Sequence, residues 1–205
     1  MVLKADRQPS LRERNRLRAR TDILDAAAEI LGESGYAGIA LEDVSQRAGL
    51  SRGTLYAHFP GGREEIVREV YLRIADAVYV RGIRLHQEAP DVASRVAALA
   101  RALVEAASTP AGRFYGIMGP DIVPVLSGIL GGTYKSFEAL MRLDLSTALA
   151  DAPFNEGADI DALAAALAGA IRASGARAAL EPQSAEKQIA AVKLLTQGLL
   201  SLSRG

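Results

Sequence analysis

Apolar residues recurring every three or four positions constrain this chain more than any other feature. Ala and Leu keep that spacing through most of the length, β-branched residues do not cluster into alternating runs, and Trp is absent. Such a pattern folds as helices packed on helices, so an all-α protein is expected. With 49% hydrophobic and 23% charged residues, the 205-residue chain has enough apolar side chain for a real core in one or two domains. The absence of cysteine excludes a disulfide framework, a cysteine nucleophile, a thiolate zinc site and an iron–sulfur cluster, and points to a reducing compartment. No apolar run reaches the roughly 18 residues of a membrane span, and none follows the basic N-terminus as in a secretory signal. A cytoplasmic protein with no membrane partner is expected.

The net charge is zero, with 24 basic and 24 acidic residues, but the sum hides a gradient. Residues 1–20 carry seven basic side chains (Lys4, Arg7, Arg12, Arg14, Arg16, Arg18, Arg20) against Asp6 and Glu13, a balance of +5. Residues 64–205 carry 14 basic and 16 acidic side chains, a balance of −2. The N-terminal end is therefore a candidate contact for a polyanion. Ser10 with Glu13 has the form of a capping box, so the arm can be a helical extension of the next element or an extended strand of charge.

A helix is read at 21–34, with Ile23, Ala27, Ile30 and Leu31 on one stripe and Gly35 ending it. A second follows at 41–48, with Leu41, Val44, Ser45 and Ala48 on one face and Glu42 and Asp43 at its electropositive start. Gly49 breaks it. Ser51 caps a third helix running to about Phe59, with Leu50 and Leu55 placed as a hydrophobic staple. A long helix spans about 63–85, with Gly82 as a weak point. Further helices are expected at 91–108, 133–150, 159–179 and 184–203, around a Gly- and Pro-rich stretch from Pro110 to Gly132.

Two short helices joined by a glycine turn, the second opening on Ser51, Arg52, Gly53 and Thr54, have the sequence form of a helix-turn-helix whose second helix enters the DNA major groove. Donors at the exposed first turn suit base edges and phosphates, Gly53 allows close backbone approach, and Leu55 and Phe59 anchor the helix from behind. Residues Arg20 to Ile66 strongly resemble the DNA-binding domain of the tetracycline-repressor-like (TetR) family of transcriptional regulators. The resemblance rests on Ile23-Leu24, Ala26-Ala27, Gly35-Tyr36, Asp43-Val44, Ala48-Gly49-Leu50-Ser51, Gly53, Leu55-Tyr56 and His58-Phe59. It implies that Arg52 and Thr54 lie near base edges, that Tyr56 and His58 bond phosphate oxygens, and that Arg63 takes the place of a phosphate-binding lysine. Arg14, Arg16, Arg18 and Arg20 complete the DNA-binding set.

Three departures from the family pattern stand out. Ala40 replaces the Ser or Thr that commonly caps the second helix, a bond worth about 1 kcal/mol. Ser45 replaces a common alanine, and the turn Pro60-Gly61-Gly62-Arg63 is one residue longer than usual.

Beyond the helix-turn-helix the chain resembles the family in length and helicity only. A homodimer is expected through 159–179 and 184–203. The first carries Ile160, Leu163, Ala164, Leu167 and Ile171, with Ala168, Gly169, Ala170 and Ala173 allowing close approach; the second carries Ile189, Val192, Leu194, Leu195, Leu199, Leu200 and Leu202. A small-molecule effector site is expected where aromatic and Met residues concentrate: Tyr79, Phe114, Tyr115, Met118, Tyr134, Phe137 and Met141. Between Phe114 and Tyr134 the only formal charge is Asp121, which suits an apolar ligand. With two histidines and no phosphate loop, HExxH pair or nucleophile elbow, neither an enzyme nor a cofactor or metal is expected. The expected organisation is an arm at 1–19, a helix-turn-helix domain at 20–66, and an effector and dimerisation domain at 67–205. Its expected work is ligand-controlled repression at a palindromic operator, with sequence-independent DNA coating as the alternative.

Overall fold

A computed structural model describes residues 10–149 and 159–201. Within them the chain is helical and contains no strand. The first helix, α1, runs Leu11–Gly38, and its start is set by the capping box: Ser10 Oγ accepts from the Glu13 amide, and the Glu13 carboxylate accepts from the Ser10 amide. Of the two open conformations, residues 11–19 of the arm therefore take the helical one. Gly35, at φ 67°, breaks the helix locally before it resumes to Gly38. The helices α2 (Leu41–Arg47) and α3 (Arg52–His58) follow, then α4, a 27-residue helix from Gly62 to Glu88.

The remaining helices are α5 (Val92–Ala107), the single turn α6 (Arg113–Gly116), α7 (Gly132–Ala148), α8 (Ile160–Leu180) and α9 (Ala185–Ser201). Between α6 and α7, residues 117–131 form turns and a short 3-10 segment at Pro120–Ile122. The ends expected at 150, 202 and 203 lie outside the described residues.

A main apolar core runs through the described residues, with a smaller cluster of Ala97, Val104, Ala178 and Ile189 beside it. The main core joins Ile23, Ala27 and Leu31 of α1 and Leu55 and Phe59 around α3 to Ile66, Val70 and Tyr71 of α4, and continues through Leu99, Phe137 and Leu167. Gly82 is not a weak point: α4 is continuous, and a methyl group on Gly82 would stand 2.4 Å from the Phe137 ring. That glycine is a notch that lets α7 approach. Gly175 does the same between α8 and Leu103 of α5, at 2.7 Å. In the far half, Asp144 is buried and shared by His86 Nε2 (2.6 Å) and Arg95 Nη1 (3.0 Å), which ties α4, α5 and α7 together.

The expected dimer stripe on α8 is largely this chain's own core. Ala164, Leu167, Ala168 and Ile171 are buried, as are Ile189 and Val192 of α9, while Ile160, Leu163, Leu199 and Leu200 pack half-buried against the core. What α8 leaves outside is a small-residue face with Ala165, Ala166 and Ala173, and α9 exposes Leu194 (66%) and Leu195 (53%). No helix among the described residues is long and apolar enough to cross a membrane.

Candidate nucleic-acid interface

The turn before the recognition helix is built from local bonds. Gly49 takes φ 67°, which a glycine adopts without strain, and the Leu50 amide returns to the Ser45 carbonyl at 2.9 Å. Ser51 then caps α3: its hydroxyl accepts from the Thr54 amide (3.1 Å) and lies 2.8 Å from the Thr54 hydroxyl. Leu55 and Phe59 are wholly buried and hold the helix on α1 and α2, so the opposite face is fixed outward. That face carries Arg52, Gly53 and Tyr56, all exposed, with Thr54 half-exposed.

Arg52 pairs with Glu42 Oε2 at 3.7 Å between two exposed side chains, a contact of little energy that a phosphate or base edge would displace. Gly53 answers no internal demand. A methyl group there would meet only the Ser51 hydroxyl, at 3.8 Å, so nothing within the protein requires the glycine. His58 is half-buried, and its Nδ1 is buried without a hydrogen-bond partner among the described residues. As read from the sequence, Ala40 gives α2 no side-chain cap. Ser45 is buried and donates to the Glu42 carbonyl (2.9 Å), so the polar departure is accommodated locally.

Two arginines of the expected set are turned inward, which corrects their reading as free phosphate contacts. Arg20 donates to the His58 carbonyl (2.9 Å), pairs with Glu69 and stacks 4.3 Å from the Phe59 ring centroid, clamping the end of α3 to α1 and α4. Arg63 donates to the Tyr36 carbonyl and stacks 3.9 Å from the Tyr36 ring. The lengthened turn before it is closed by the Gly62 amide bonding the Phe59 carbonyl (3.0 Å) and by Gly61 bonding Glu65 (2.7 Å). Arg14, Arg16 and Arg18 are exposed on the helical arm. At 100° per residue Arg14 and Arg18 share one side, and Arg16 lies with Arg12 on another.

The expected effector residues do not line one open cavity. Phe114, Tyr115, Phe137 and Met141 are core side chains, and Met118 and Tyr134 pack half-buried against that core. Tyr79 is exposed on the outer face of α4, where it borders a surface depression of about 260 Å³ with Leu72, Ala75, Asp76, Ile129, Gly132, Thr133 and Ser136. The inward residues gather instead into a tyrosine cluster. Tyr71 and Tyr115 rings lie 5.2 Å apart, and Arg172 sits 5.2 Å from the Tyr134 ring. Burial pushes the Tyr134 hydroxyl up to about 12 against the opposing pull of Arg172. Burial drives the Tyr115 hydroxyl higher still; Thr133 opposes that shift, and Tyr71 and Tyr134 add to it. The Tyr115 and Tyr134 hydroxyls are therefore neutral at physiological pH. Tyr71, Thr133 and Arg172 were missed by sequence reasoning; of these Tyr71 had a signal, because Val67, Tyr71, Ile74 and Val78 form a second helical stripe on α4.

Capped, outward-facing donors on a short helix behind a glycine turn have the arrangement of a helix-turn-helix. Residues 23–70 match the bacterial regulatory proteins of the tetR family. Over 51 residues the chain is 39% identical to the HTH-type transcriptional regulator LmrA of Bacillus subtilis, covering 25% of this chain and 27% of that protein. Over 64 residues it is 38% identical to the HTH-type transcriptional regulator AlkX of Mycobacterium tuberculosis, covering 31% and 30%. The match thus spans under a third of each of these relatives. The fold extends further: the ketosteroid transcriptional regulator KstR2 of Mycobacterium tuberculosis superposes with a TM-score of 0.64 at 21% identity, over 85% of this chain and 92% of that one. The family match covers residues 23–70, and beyond them the likeness to the solved structures is one of fold.

Proposed function

We propose that this protein is a ligand-responsive transcriptional repressor of the cytoplasm, binding a palindromic operator as a homodimer and leaving it when a small apolar effector binds. Residues 20–66 read the DNA, the arm at 1–19 adds phosphate contacts, and 67–205 answer the effector and form the dimer. The observation that carries the reading is the first turn of α3, where Arg52, Gly53 and Thr54 face outward on a helix fixed from behind by Leu55 and Phe59. Arg52 reads a base, Thr54 and Tyr56 take neighbouring edges or phosphates, and His58 takes a phosphate with its unpartnered ring nitrogen.

Dimer formation is supported by the exposed Leu194 and Leu195 beside the alanine face of α8, since a symmetric pair of such faces buries both. An apolar effector is supported by the neutral interior between α4, α6 and α7.

Selection of genomic fragments by the purified protein at near-physiological salt, followed by titration of the enriched site against a scrambled control, tests the reading. A palindrome preferred by about a thousandfold or more is expected. Enrichment of nothing, with equal salt-dependent loss of affinity on all sequences, would replace operator control by general DNA coating.

A further inference from the structure

Helix α3 is seven residues long, and Leu55 is its one wholly buried side chain, with Phe59 buried at the C-cap. A helix pinned at so few points can swivel about them. The Ser51 cap fixes its first turn, but its last turn has no such local device. The chain leaves it through Pro60-Gly61-Gly62, the turn that is one residue longer than the family pattern, with Gly62 at φ 65°. Two glycines in succession leave the backbone free to take many directions, so the turn alone does not set the angle between α3 and α4. The bonds that close it, Gly62 to Phe59 and Gly61 to Glu65, lie outside α3 itself.

Arg20 spans that turn. The last carbonyls of a helix lack intrahelical partners and carry the negative end of its dipole, which suits a cation. Arg20 Nη1 donates to one of them, the His58 carbonyl, at 2.9 Å, while the guanidinium lies over the Phe59 ring. Its other terminal nitrogen, Nη2, pairs with Glu69, two turns into α4. One planar group rooted in α1 thus ties the end of α3 to α4, and both of its terminal nitrogens are engaged inside the protein.

Bonds to base edges need their donors held within about 0.5 Å of the right place, whereas general attraction to a polyanion does not. A swivel of α3 therefore removes the reading of bases before it removes affinity for DNA. We propose that Arg20 is a positioning residue for operator recognition: by bridging the His58 carbonyl and the Glu69 carboxylate across the glycine turn, it fixes the aim of α3 and sets discrimination between DNA sequences without touching DNA itself. This assignment rests on the operator-binding reading above and adds to it the residue that holds the reading helix in register.

Titration of the selected operator and a scrambled control at several salt concentrations tests it, with the full chain as wild type, Arg20→Lys, Arg20→Met, Glu69→Gln and Arg20→Lys combined with Glu69→Gln, each at a temperature where circular dichroism shows it folded. Lysine keeps the charge a phosphate would take, but its single ammonium cannot reproduce the planar bridge and stack. Arg20→Lys should weaken the operator about tenfold or more, the scale of a hydrogen bond to a charged group, and change scrambled DNA by less than about twofold. Arg20→Met should weaken the operator as much with the slope of log affinity against log salt unchanged, whereas loss of a phosphate contact lowers that slope by about one. Glu69→Gln leaves Arg20 in place and should also weaken the operator; tighter binding of both DNAs, as from an arginine released to a phosphate, would overturn the assignment. The combined variant should lose no more than Arg20→Lys alone, because the two residues form one bridge. Full operator affinity in Arg20→Lys, equal losses on both DNAs, a slope lowered by about one in Arg20→Met, or additive losses would each overturn it as well. A wild type without a preferred palindrome sinks the regulator reading, whereas a preference that Arg20→Lys shares in full sinks this assignment alone.

Discussion

Replacing Gly53 by alanine should make the protein more stable and a worse DNA binder. A glycine within a helix costs about 1 kcal/mol relative to alanine, and a methyl group at 53 meets only Ser51 Oγ at 3.8 Å, an ordinary contact. Up to about 1 kcal/mol of stability is therefore expected, which for a chain of this size raises Tm by about 2–4 °C. If α3 lies against the duplex at Gly53, the same methyl group must be accommodated in a tight interface at a cost of about 1–3 kcal/mol, or five- to 150-fold in affinity. Thermal unfolding and operator titration on one preparation read both quantities. Increased stability with unchanged operator affinity would refute the placement of Gly53 against DNA. Loss of stability would refute the claim that the glycine answers no internal demand.

Gly32→Ala should have the opposite sign in stability, because its methyl group would lie 1.8 Å from the Pro110 carbonyl oxygen; urea titration should show a loss of about 1–3 kcal/mol despite the better helix former. Asp144→Ala strands His86 and Arg95 at the junction of α4, α5 and α7, and a loss of about 3 kcal/mol is expected in the same assay, while a loss below 1 kcal/mol would show that the junction does not depend on the carboxylate. The arm should fray in acid. The Ser10 amide, and then the Ser10 hydroxyl bond, hold the Glu13 carboxyl below its ordinary 4.5, so its support is complete above that pH and is lost as pH falls through the lowered value. Amide chemical shifts of residues 11–19 should report this melting, and Glu13→Ala should fray the arm at every pH; an arm insensitive to both would mean that the capping box does not hold it.

What was legible in the sequence was local. The Ser10–Glu13 box, the Ser51 cap and the Gly49 turn are bonds spanning three to five residues, so residue types at fixed spacing specify them. The destinations of long side chains were not legible. Arg20 and Arg63 carry the charge a phosphate wants, but their partners, His58, Phe59, Glu69 and Tyr36, come together only on folding. The effector residues could not be told from core for a related reason, since aromatic and Met residues fill a core as readily as they line a cavity, and periodicity does not separate Phe137 in the Gly82 notch from a ligand wall. On α8 the expected dimer stripe was the most apolar one, and intramolecular burial claimed it first, leaving alanines for any partner.

Helix α4 belongs to both halves of the molecule, and its fastening decides what an effector can move. On the DNA side it is joined to α1 by Arg20–Glu69 and by Arg73–Asp25 (2.7 Å), and to Tyr36 by Arg63. Exposed pairs of this kind contribute little singly, but Ile66, Val67 and Val70 share the wholly buried core of α1 and α3, so the head and the first turns of α4 move as a unit. Further along, Leu72, Ala75, Asp76 and Tyr79 border the surface depression between α4 and α7. On the proposed reading, a ligand that parts these helices acts on a helix already packed on the recognition unit. At about 1.5 Å per residue, 27 residues span about 40 Å, and a tilt of about 5° displaces one end by about 3.5 Å. In the proposed dimer the two heads must sit about 34 Å apart to enter successive major grooves, and a shift of that size in each would take them out of register with the operator. Such coupling would need no long chain of side-chain rearrangements between the two sites, because a rigid α4 suffices.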